Sequence, residues 1–311
     1  MSGPENLPIQ PPLTPHELEV REELCRNVDA LAGLIGIRHD SRPSSLDATV
    51  AHITREWENQ GQAVKVEAYH TAAWEAKNLV VEWRGQTQPD SVVIVGAHYD
   101  TVRGTPGADD NASAVAMLLA VSEALKNQRY ARTVRFVAFA NEEPPHFPGP
   151  TMGSAVYAKA CKQRGDDIYA MVCLEMVGYY DTAPNSQTFP TELPKIVKPL
   201  LRSTGDFIAF VSDMATRRQL RQFTKGFKKA VKFPVISAPV PKARDLLWLS
   251  DHGPFWDQGY PALMVTDTSW FRNENYHEMS DTPDTLDYDR MSRVAVGVAE
   301  GVSRLAIPVR Q

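Results

Sequence analysis

Cysteine is scarce in this chain, with three residues among 311. Cys25, Cys161 and Cys173 do not have the paired spacing of a structural zinc ribbon, and we interpret them as reduced, buried thiols. Also missing is any apolar run of the roughly 18 residues that a transmembrane helix needs. The first residues show neither the basic nor the apolar segment of a signal peptide. We therefore expect a cytoplasmic protein that does not associate with membranes.

A surplus of basic charge is absent as well, since the formal net charge is −5. This balance argues against nucleic acid as a partner. The segment 216–244 is a local exception, because it holds nine Lys and Arg residues and no acidic residue. Leu220, Phe223 and Phe227 within it fall on one face of a helical pattern. We therefore interpret its basic side chains as the solvated face of a helix, in preference to a nucleic-acid or membrane patch.

Helical and strand patterns alternate over most of the chain. Helices are expected at 15–34, 46–60, 112–127, 153–163, 213–231 and from about Thr285 to 307, with Asp284 as the cap of the last one. Strands are expected at 64–70, 77–83, 92–97, 133–140, 169–178, 206–212, 235–240 and 262–268. The alternation predicts an α/β fold with one globular domain over 15–311 and a mixed, largely parallel sheet covered by helices on both faces. The proline-rich residues 1–14 indicate an extended arm.

Four predicted strands are followed by residue types that bind metals. In an open α/β sheet, sites form beyond the carboxyl ends of the strands, so these side chains are expected to converge at one edge. Burying them together without a cation would be costly. In chain order, the residues are His98, Asp100, Asp110, Glu142, Glu143, Glu175 and His277.

These ligand types indicate which cation is bound. Imidazole and carboxylate without thiolate suit zinc, with cobalt or manganese as substitutes. Two histidines among several carboxylates favour two ions that share a bridging Asp, as in two-metal hydrolases. Such a pair activates water, and a nearby carboxylate accepts the proton when the water attacks a carbonyl.

Six motifs extend this pattern, in the order "GAHYD", "GADDNASA", "NEEPP", "LEMVGYY", "SDHGPFWDQGYPA" and "YHEMSDTPDT". With them, roughly residues 76–306 resemble the co-catalytic di-zinc aminopeptidases, whose relatives include glutaminyl cyclases and glutamate carboxypeptidase II. The resemblance implies the three-layer fold of zinc aminopeptidases. It also implies exopeptidase activity on a peptide or aminoacyl substrate, with two zinc ions per chain.

The resemblance assigns a role to each motif residue. It implies that His98, Asp110 and Glu175 hold one zinc ion. It implies that Asp110, Glu143 and His277 hold the other, with Asp110 as the bridge. His252 is a competing second histidine, and the position of the family motif favours His277.

The remaining roles concern the chemistry around the ions. The resemblance implies that Glu142 is the general base, that Asp100 orients a histidine ligand, and that Tyr276 stabilises the oxyanion. The direct interpretation agrees for Asp100, because residues i and i+2 of an extended segment share a face. In the family the peptide bond after the bridging Asp is often cis, which would here be Asp110–Asn111.

Glu175 departs from many family members, which have Asp at this position, and it is shared with glutaminyl cyclases. A one-zinc acyltransferase of the cyclase type therefore remains an alternative. A binding module without chemistry is a further alternative, and a complete ligand set argues against it. Relatives with an inserted lid domain are disfavoured because the segment from Glu175 to His252 is already filled by predicted elements.

Several other residues lie in or near these motifs. We expect Asp109 to be a turn residue. Trp256, Trp270 and Phe271 lie in segments near the site, and each is either a wall of a substrate pocket or part of the core.

Overall fold

The computed structural model describes residues 11–72, 74–189, 191, 202–241 and 247–309. Of the expected N-terminal arm, residues 1–10 lie outside these ranges. Eight strands form one sheet in the order β1-β2-β4-β3-β5-β8-β6-β7. Their bounds are β1 Lys65–His70, β2 Glu75–Trp83, β3 Gln88–His98, β4 Arg132–Phe139, β5 Asp167–Glu175, β6 Ile208–Ser212, β7 Val235–Pro239 and β8 Ala262–Thr266.

The four central strands β4, β3, β5 and β8 run parallel to one another. On one side β2 joins β4 in the antiparallel direction, and β1 pairs with β2 in the same way. On the other side β6 is antiparallel to β8 and parallel to β7. The expected mixed, largely parallel sheet is therefore confirmed, and the carboxyl ends of its central strands share one edge.

Seven α-helices accompany the sheet within the described residues. Their bounds are α1 Pro15–Val28, α2 Pro43–Asn59, α3 Ala114–Leu125, α4 Gly153–Arg164, α5 Arg217–Ala230, α6 His252–Asp257 and α7 Tyr288–Ala306. Shorter helical segments are the π-helical turns Asp29–Ile35 and Ala108–Ser113 and the 3₁₀ turns Ser269–Phe271 and Pro283–Thr285. Within the described part of the chain, no helix is both long and apolar enough to cross a membrane.

The core has one layer on each side of the sheet, as the side-chain alternation of β3 shows. Val93 and Val95 pack in the larger cluster with residues of α1, α2, α3, α5 and α7. Val92 and Ile94 point the other way and pack with residues of α4 and α6. Alternate residues of a strand face opposite sides, so a continuous apolar run here serves two cores. The three-layer arrangement matches the expected fold class.

Several helix ends differ from the sequence expectation. The helix α2 begins at Pro43 and not at position 46, and α5 begins at Arg217 and not at position 213. Two further differences have a visible local cause. The helix expected at 15–34 changes to π-helical geometry at Asp29 and stops at Gly36, whose φ of 74° is in the left-handed region. The last helix begins at Tyr288 and not near Thr285, because Asp287 accepts a hydrogen bond from the Arg290 amide at 2.9 Å. Both Asp284 and Asp287 are good capping types, and only the second precedes the regular helix.

Candidate metal centre

His98 and Glu175 are the last residues of the neighbouring parallel strands β3 and β5. The register pairs Gly96 with Cys173, so the two side chains leave the sheet at the same level. Both residues are buried, with 1% and 8% of their surface exposed. The parallel register therefore brings an imidazole and a carboxylate together at the carboxyl edge of the sheet.

Asp110 completes a first set of three ligand-type side chains. His98 Nε2 lies 3.4 Å from Asp110 Oδ1 and 3.4 Å from Glu175 Oε2. Each of the three offers a ligand atom within 4.8 Å of the others. These separations allow one cation to lie among the three side chains.

A second set lies on the other side of Asp110. His277 Nε2 is 3.1 Å from Asp110 Oδ2 and 3.4 Å from Glu143 Oε1. Asp110 therefore faces one histidine with each of its oxygens. His98 and His277 lie 179 positions apart in the sequence, and the loop after β8 brings the second to the centre.

Two oxygen atoms of this cluster support a cation-binding role. Asp110 Oδ1 and Glu143 Oε1 are buried and have no hydrogen-bond partner among the described residues. A buried carboxylate oxygen without a donor is costly, and coordination of a cation removes that cost. Imidazole and carboxylate together, without thiolate, suit zinc.

The loop that carries Asp110 is held from two sides. The Asp281 carboxylate accepts hydrogen bonds from the amides of Asp109 at 2.9 Å and Asp110 at 3.1 Å. The Asn111 side chain donates to Leu174 O at 3.2 Å and accepts from the Met176 amide at 3.0 Å. The Asp110–Asn111 peptide bond is cis, as expected. Asn111 therefore fastens the Asp110 loop to the segment that carries Glu175, a role that the sequence did not reveal.

Asp100 contacts both glutamates as well as the histidine. Its Oδ1 accepts from the Glu142 amide at 2.9 Å and its Oδ2 from the Glu143 amide at 3.0 Å. His98 Nδ1 lies 3.5 Å from the Asp100 carboxylate and 3.2 Å from the Asp100 main-chain oxygen. The expected position beside the histidine is found, and the stronger contacts go to the loop after β4.

Electrostatics in the centre follow from burial and from crowded carboxylates. Burial raises the pKa of Glu142 well above its usual range, and Glu143 and Glu175 add to this against the opposing charge of His98. The pKa of Glu143 is raised to about 8, first by burial and then by Asp110. Burial alone would lower the pKa of His277, but Asp110 and Glu143 raise it to about 10. The cluster thus stabilises positive charge, which is what a cation site requires.

Ser250 was not singled out from the sequence, and it contacts a proposed ligand. Its hydroxyl donates to Glu175 Oε2 at 2.5 Å. Ser250 lies 75 positions after Glu175 and is the first residue of the "SDHGPFWDQGYPA" motif. The hydrogen bond fixes one oxygen of the Glu175 side chain at the edge of the centre.

The structure brings His277, and not His252, to Asp110. His252 is fully buried, donates from Nε2 to Leu247 O at 2.6 Å, and meets the Trp256 ring edge-on at 4.5 Å. Burial lowers its pKa to about 4, so the ring is neutral at ordinary pH. His252 is therefore a packed core residue.

Aromatic side chains flank the second ligand set. The Tyr276 ring stacks on His277 with a centroid distance of 3.7 Å, and Trp270 lies 5.3 Å from Tyr276. Trp270 is 45% exposed and also contacts Phe271. Trp256, by contrast, is fully buried and donates to Ala262 O. Trp270 therefore lies beside the Tyr276 ring that stacks on His277, Phe271 lies behind Trp270, and Trp256 belongs to the core.

Asp109 is not the turn residue that we expected. It is fully buried and accepts hydrogen bonds from the Gly178 amide at 2.9 Å and from Asn273 Nδ2 at 2.8 Å. These contacts tie the loop after β3 to the segments after β5 and β8. The two adjacent aspartates therefore have different positions. Asp110 faces the centre, and Asp109 holds the loop behind it.

The sequence comparisons extend over most of the chain. Residues 78–302 match Peptidase family M28. The uncharacterized protein YfbL of Escherichia coli strain K12 is 34% identical over 285 residues, which are 89% of this chain and 86% of that protein. A probable leucine aminopeptidase of Arthroderma otae is 26% identical over 299 residues, or 89% of this chain and 71% of that protein.

Two solved structures are equally similar in fold. BSAP, a zinc aminopeptidase from Bacillus subtilis, has a TM-score of 0.68 at 13% identity and covers 91% of this chain and 94% of its own. The glutaminyl cyclase of Porphyromonas gingivalis also has a TM-score of 0.68, at 16% identity, with 91% and 97% covered. At these identities the likeness shows the fold alone. The family match, in contrast, spans the strands and loops that carry the whole centre, so this chain belongs to peptidase family M28 and is a metallopeptidase.

Proposed function

We propose that the protein is a zinc-dependent aminopeptidase, which hydrolyses the N-terminal peptide bond of a peptide. One observation carries this proposal: two ligand sets share the Asp110 carboxylate, one oxygen facing each set. That arrangement suits a pair of cations bridged by a carboxylate, as two-metal hydrolases use. The probable leucine aminopeptidase among its relatives is consistent with this reaction.

The residues that would hold the ions follow from the two sets. His98, Asp110 and Glu175 hold the first zinc ion, and Asp110, Glu143 and His277 hold the second. Cobalt or manganese fits the same ligands. When bound, the cations polarise the scissile carbonyl and lower the pKa of a water molecule towards about 7.

Glu142 is the proposed general base. Its carboxylate is buried beside the centre, with Oε2 4.0 Å from His98 Nε2, and it belongs to neither ligand set. Burial and neighbouring carboxylates raise its pKa, which favours accepting a proton. Glu142 takes a proton from the attacking water and later gives it to the nitrogen of the leaving amine.

Asp100 and Tyr276 support the reaction from opposite sides. Asp100 is a positioning residue, because its carboxylate holds the amides of Glu142 and Glu143. Tyr276 is the proposed donor to the oxyanion of the tetrahedral intermediate. Burial, then Asp110 and Glu143, raise the pKa of Tyr276, so its hydroxyl keeps the proton that it donates.

The proposed substrate has a free N-terminal amine and an apolar first side chain. The carboxylates of the centre suit the ammonium group, and the half-exposed Trp270 with Phe271 offers an apolar surface beside His277. Neither a nucleic acid nor a membrane is part of this proposal.

A glutaminyl cyclase is the second candidate. Two observations favour it, namely the equal fold likeness to the Porphyromonas gingivalis enzyme and the presence of Glu175. Cyclisation of an N-terminal glutamine needs one zinc ion and no activated water. The complete second ligand set argues for the hydrolase, and it argues equally against a binding module without chemistry.

The deciding experiment combines metal content with product analysis. Zinc per chain is measured by plasma mass spectrometry on protein purified without chelators, and the same sample is given a leucyl peptide and a glutaminyl peptide. Two zinc ions with release of free leucine support the aminopeptidase. One zinc ion with loss of ammonia from the glutaminyl peptide would support the cyclase. Absence of bound metal, even after zinc is added, would contradict both.

A further inference from the structure

A second chemically distinctive region lies at the sheet edge opposite the metal centre. The strand β6 runs antiparallel to β8, with Ala209 paired to Thr266 and Ser212 to Leu263. The chain therefore leaves β6 where the central strands begin, and α5 starts there at Arg217. Arg132, which opens β4, and Tyr169 of β5 belong to this same edge.

An open cleft of about 660 Å³ lies between α5 and the end of α7. Five of the side chains that line it are cationic, and all five belong to exposed residues. Among the described residues, none of the five has a carboxylate oxygen within 4.0 Å. These cations are Arg217, Arg218, Arg221, Lys225 and Arg304.

A cationic side chain of α5 outside the cleft is paired with a carboxylate. Lys229, outside the cleft, pairs with Glu300 of α7 at 3.2 Å. In the cleft, Arg217 and Arg221 are four residues apart, as are Arg221 and Lys225. Like charges at this helical spacing repel each other and destabilise a helix unless a counter-charge is present. The expected solvated basic face of α5 is therefore present, but its charges gather around a concavity. Lys242 and Arg244 of the same basic segment lie outside the described residues.

The floor of the cleft is ordered by hydrogen bonds. Gln222 Oε1 accepts from the Tyr169 hydroxyl at 2.5 Å, and Gln219 Nε2 donates to Tyr169 O at 3.2 Å. The Arg132 guanidinium lies over the Tyr169 ring, 3.8 Å from its centroid. Because both glutamines line the cleft and are held by Tyr169, the helix that carries the cations is fixed against the sheet.

We propose that this cleft binds a compact polyphosphate, a short chain of phosphate groups that is either free or the tail of a nucleotide. Four of its five cations are arginines, whose forked guanidinium groups match phosphate oxygens in pairs. The volume of the cleft lies in the range of small-molecule sites, about 300–1,000 Å³. Several closely spaced phosphates would neutralise several cations at once.

A nucleic acid fits this region less well. Among the residues that the structure describes, no aromatic side chain lines the cleft and offers a surface on which bases could stack. The chain as a whole carries a net charge of −5, so a long polyanion that extends beyond the cleft meets repulsion. A compact ligand remains within the local positive field.

Calorimetric titration of the full, metal-loaded chain with sodium tripolyphosphate tests the proposal. We expect saturable binding that weakens as salt is added. The double variant Arg218→Glu/Arg221→Glu should weaken it about tenfold or more, and Arg304→Glu on the other helix should weaken it independently. Lys228→Glu is the matched control, since Lys228 is exposed on α5 but does not line the cleft. Tripolyphosphate also chelates zinc, and the heat of this chelation is the same for all variants.

A parallel titration with adenosine triphosphate distinguishes the two sources. Tighter binding of the nucleotide assigns the cleft to a nucleotide tail, and equal or tighter binding of tripolyphosphate assigns it to free polyphosphate. Peptidase activity should be unchanged in these variants, because the cleft lies at the other edge of the sheet. The proposal is overturned if the double variant binds as the unaltered chain does, if Lys228→Glu weakens binding equally, or if a single-stranded oligonucleotide binds more tightly than tripolyphosphate.

Discussion

Adjacent glutamates have different surroundings in this centre, although they share one anchor. Glu143 Oε1 faces His277 Nε2 at 3.4 Å, whereas Glu142 Oε2 is 4.0 Å from His98 Nε2. Both amides bind the Asp100 carboxylate. The proposed division into a base and a ligand therefore rests on where each side chain points, and single substitutions can separate the two roles.

Glu142→Gln removes the proposed proton acceptor and keeps nearly the same shape. We expect turnover of a leucyl peptide to fall by roughly 10²-fold or more, while the zinc content stays the same. Metal analysis and initial rates on the same preparation measure both quantities. Glu143→Gln is the comparison, and it should lose zinc as well as activity. A Glu142→Gln variant with ordinary turnover would show that another group accepts the proton.

His252 makes stability depend on pH. Its pKa is about 4 in the folded chain and about 6.5 when exposed. Between these values the unfolded chain binds the extra proton, so stability is full above about pH 6.5 and declines as the pH falls towards 4. The loss approaches about 3 kcal/mol.

Urea unfolding across this pH range, with and without His252→Gln, measures the effect. The variant should show a flatter dependence, because glutamine keeps a donor for Leu247 O but does not titrate. The other titrating groups of the centre contribute equally to both proteins. Parallel curves for the two proteins would rule out His252 as the source.

The residues that gather at the centre could be predicted from sequence, whereas the residues that support them could not. His98 and Glu175 end strands, and strand ends converge in an open α/β sheet. Ser250 and Asp281, in contrast, lie 75 and 171 positions from the residues they hold. Ser250 lies in the "SDHGPFWDQGYPA" motif and Asp281 in the "YHEMSDTPDT" motif, but the residues that they hold depend on how distant loops pack.

At the scale of elements, the segment between the first two helices braces the metal-binding loop. Arg38 is fully buried, and its guanidinium donates to the carbonyl oxygens of Leu31, Gly36, Tyr99, Pro106 and Gly107. Three of these acceptors belong to the loop between His98 and Asp110. The Arg38 guanidinium therefore joins the N-terminal helices to the loop that presents Asp110.

Arg38→Met should destabilise the chain strongly, because it leaves buried carbonyl groups without donors. At roughly 1–3 kcal/mol for each unsatisfied group, we expect a loss of about 3 kcal/mol or more in the free energy of unfolding. Denaturant unfolding measures this loss. Arg38→Lys keeps the charge but has fewer donors, so its free energy of unfolding should lie between those of the unaltered chain and of Arg38→Met. A variant as stable as the unaltered chain would mean that water replaces the guanidinium.

Element boundaries followed the sequence only in part. The apolar pattern of α3 placed that helix well, because nearly every residue in it is buried. The cap of α7 was expected at Asp284, but the structure has it at Asp287. The helix expected at 15–34 changes geometry at Asp29. Caps and π-helical turns depend on local hydrogen bonds that a hydrophobic pattern does not encode.

For the whole molecule, the proposed ions should contribute to stability as well as to chemistry. The centre collects three buried carboxylates, Asp110, Glu143 and Glu175, between parts of the chain that are far apart in sequence. Ligands that bind only the folded state stabilise it in proportion to the logarithm of their concentration.

Removal of the metals with a chelator should therefore lower the melting temperature by at least several degrees. Differential scanning calorimetry before and after chelation measures the change. Adding zinc should restore both the melting temperature and peptidase activity, and magnesium should not, because imidazole ligands suit zinc better. An unchanged melting temperature after complete metal loss would contradict a structural contribution.

The fold class was readable from the alternation of strands and helices, but the order of strands was not. The sequence gives no sign that β6 and β7 run against the central strands, since this depends on pairings such as Ala209 with Thr266. That reversal places α5 at the edge remote from the metal centre. The direction of a strand in a sheet depends on its pairing with strands that are distant in sequence, and local sequence patterns do not indicate it.

The Asp100 carboxylate also bears on how such a centre tolerates change. Because the amides of Glu142 and Glu143 bind its two oxygens, we expect the two glutamates to keep their spacing if the strand beneath them shifts. Substitutions under β4 can then move the pair as one block and leave its internal geometry intact. For the same reason, we expect one substitution at Asp100 to disturb both roles proposed for the glutamates, proton transfer and metal binding.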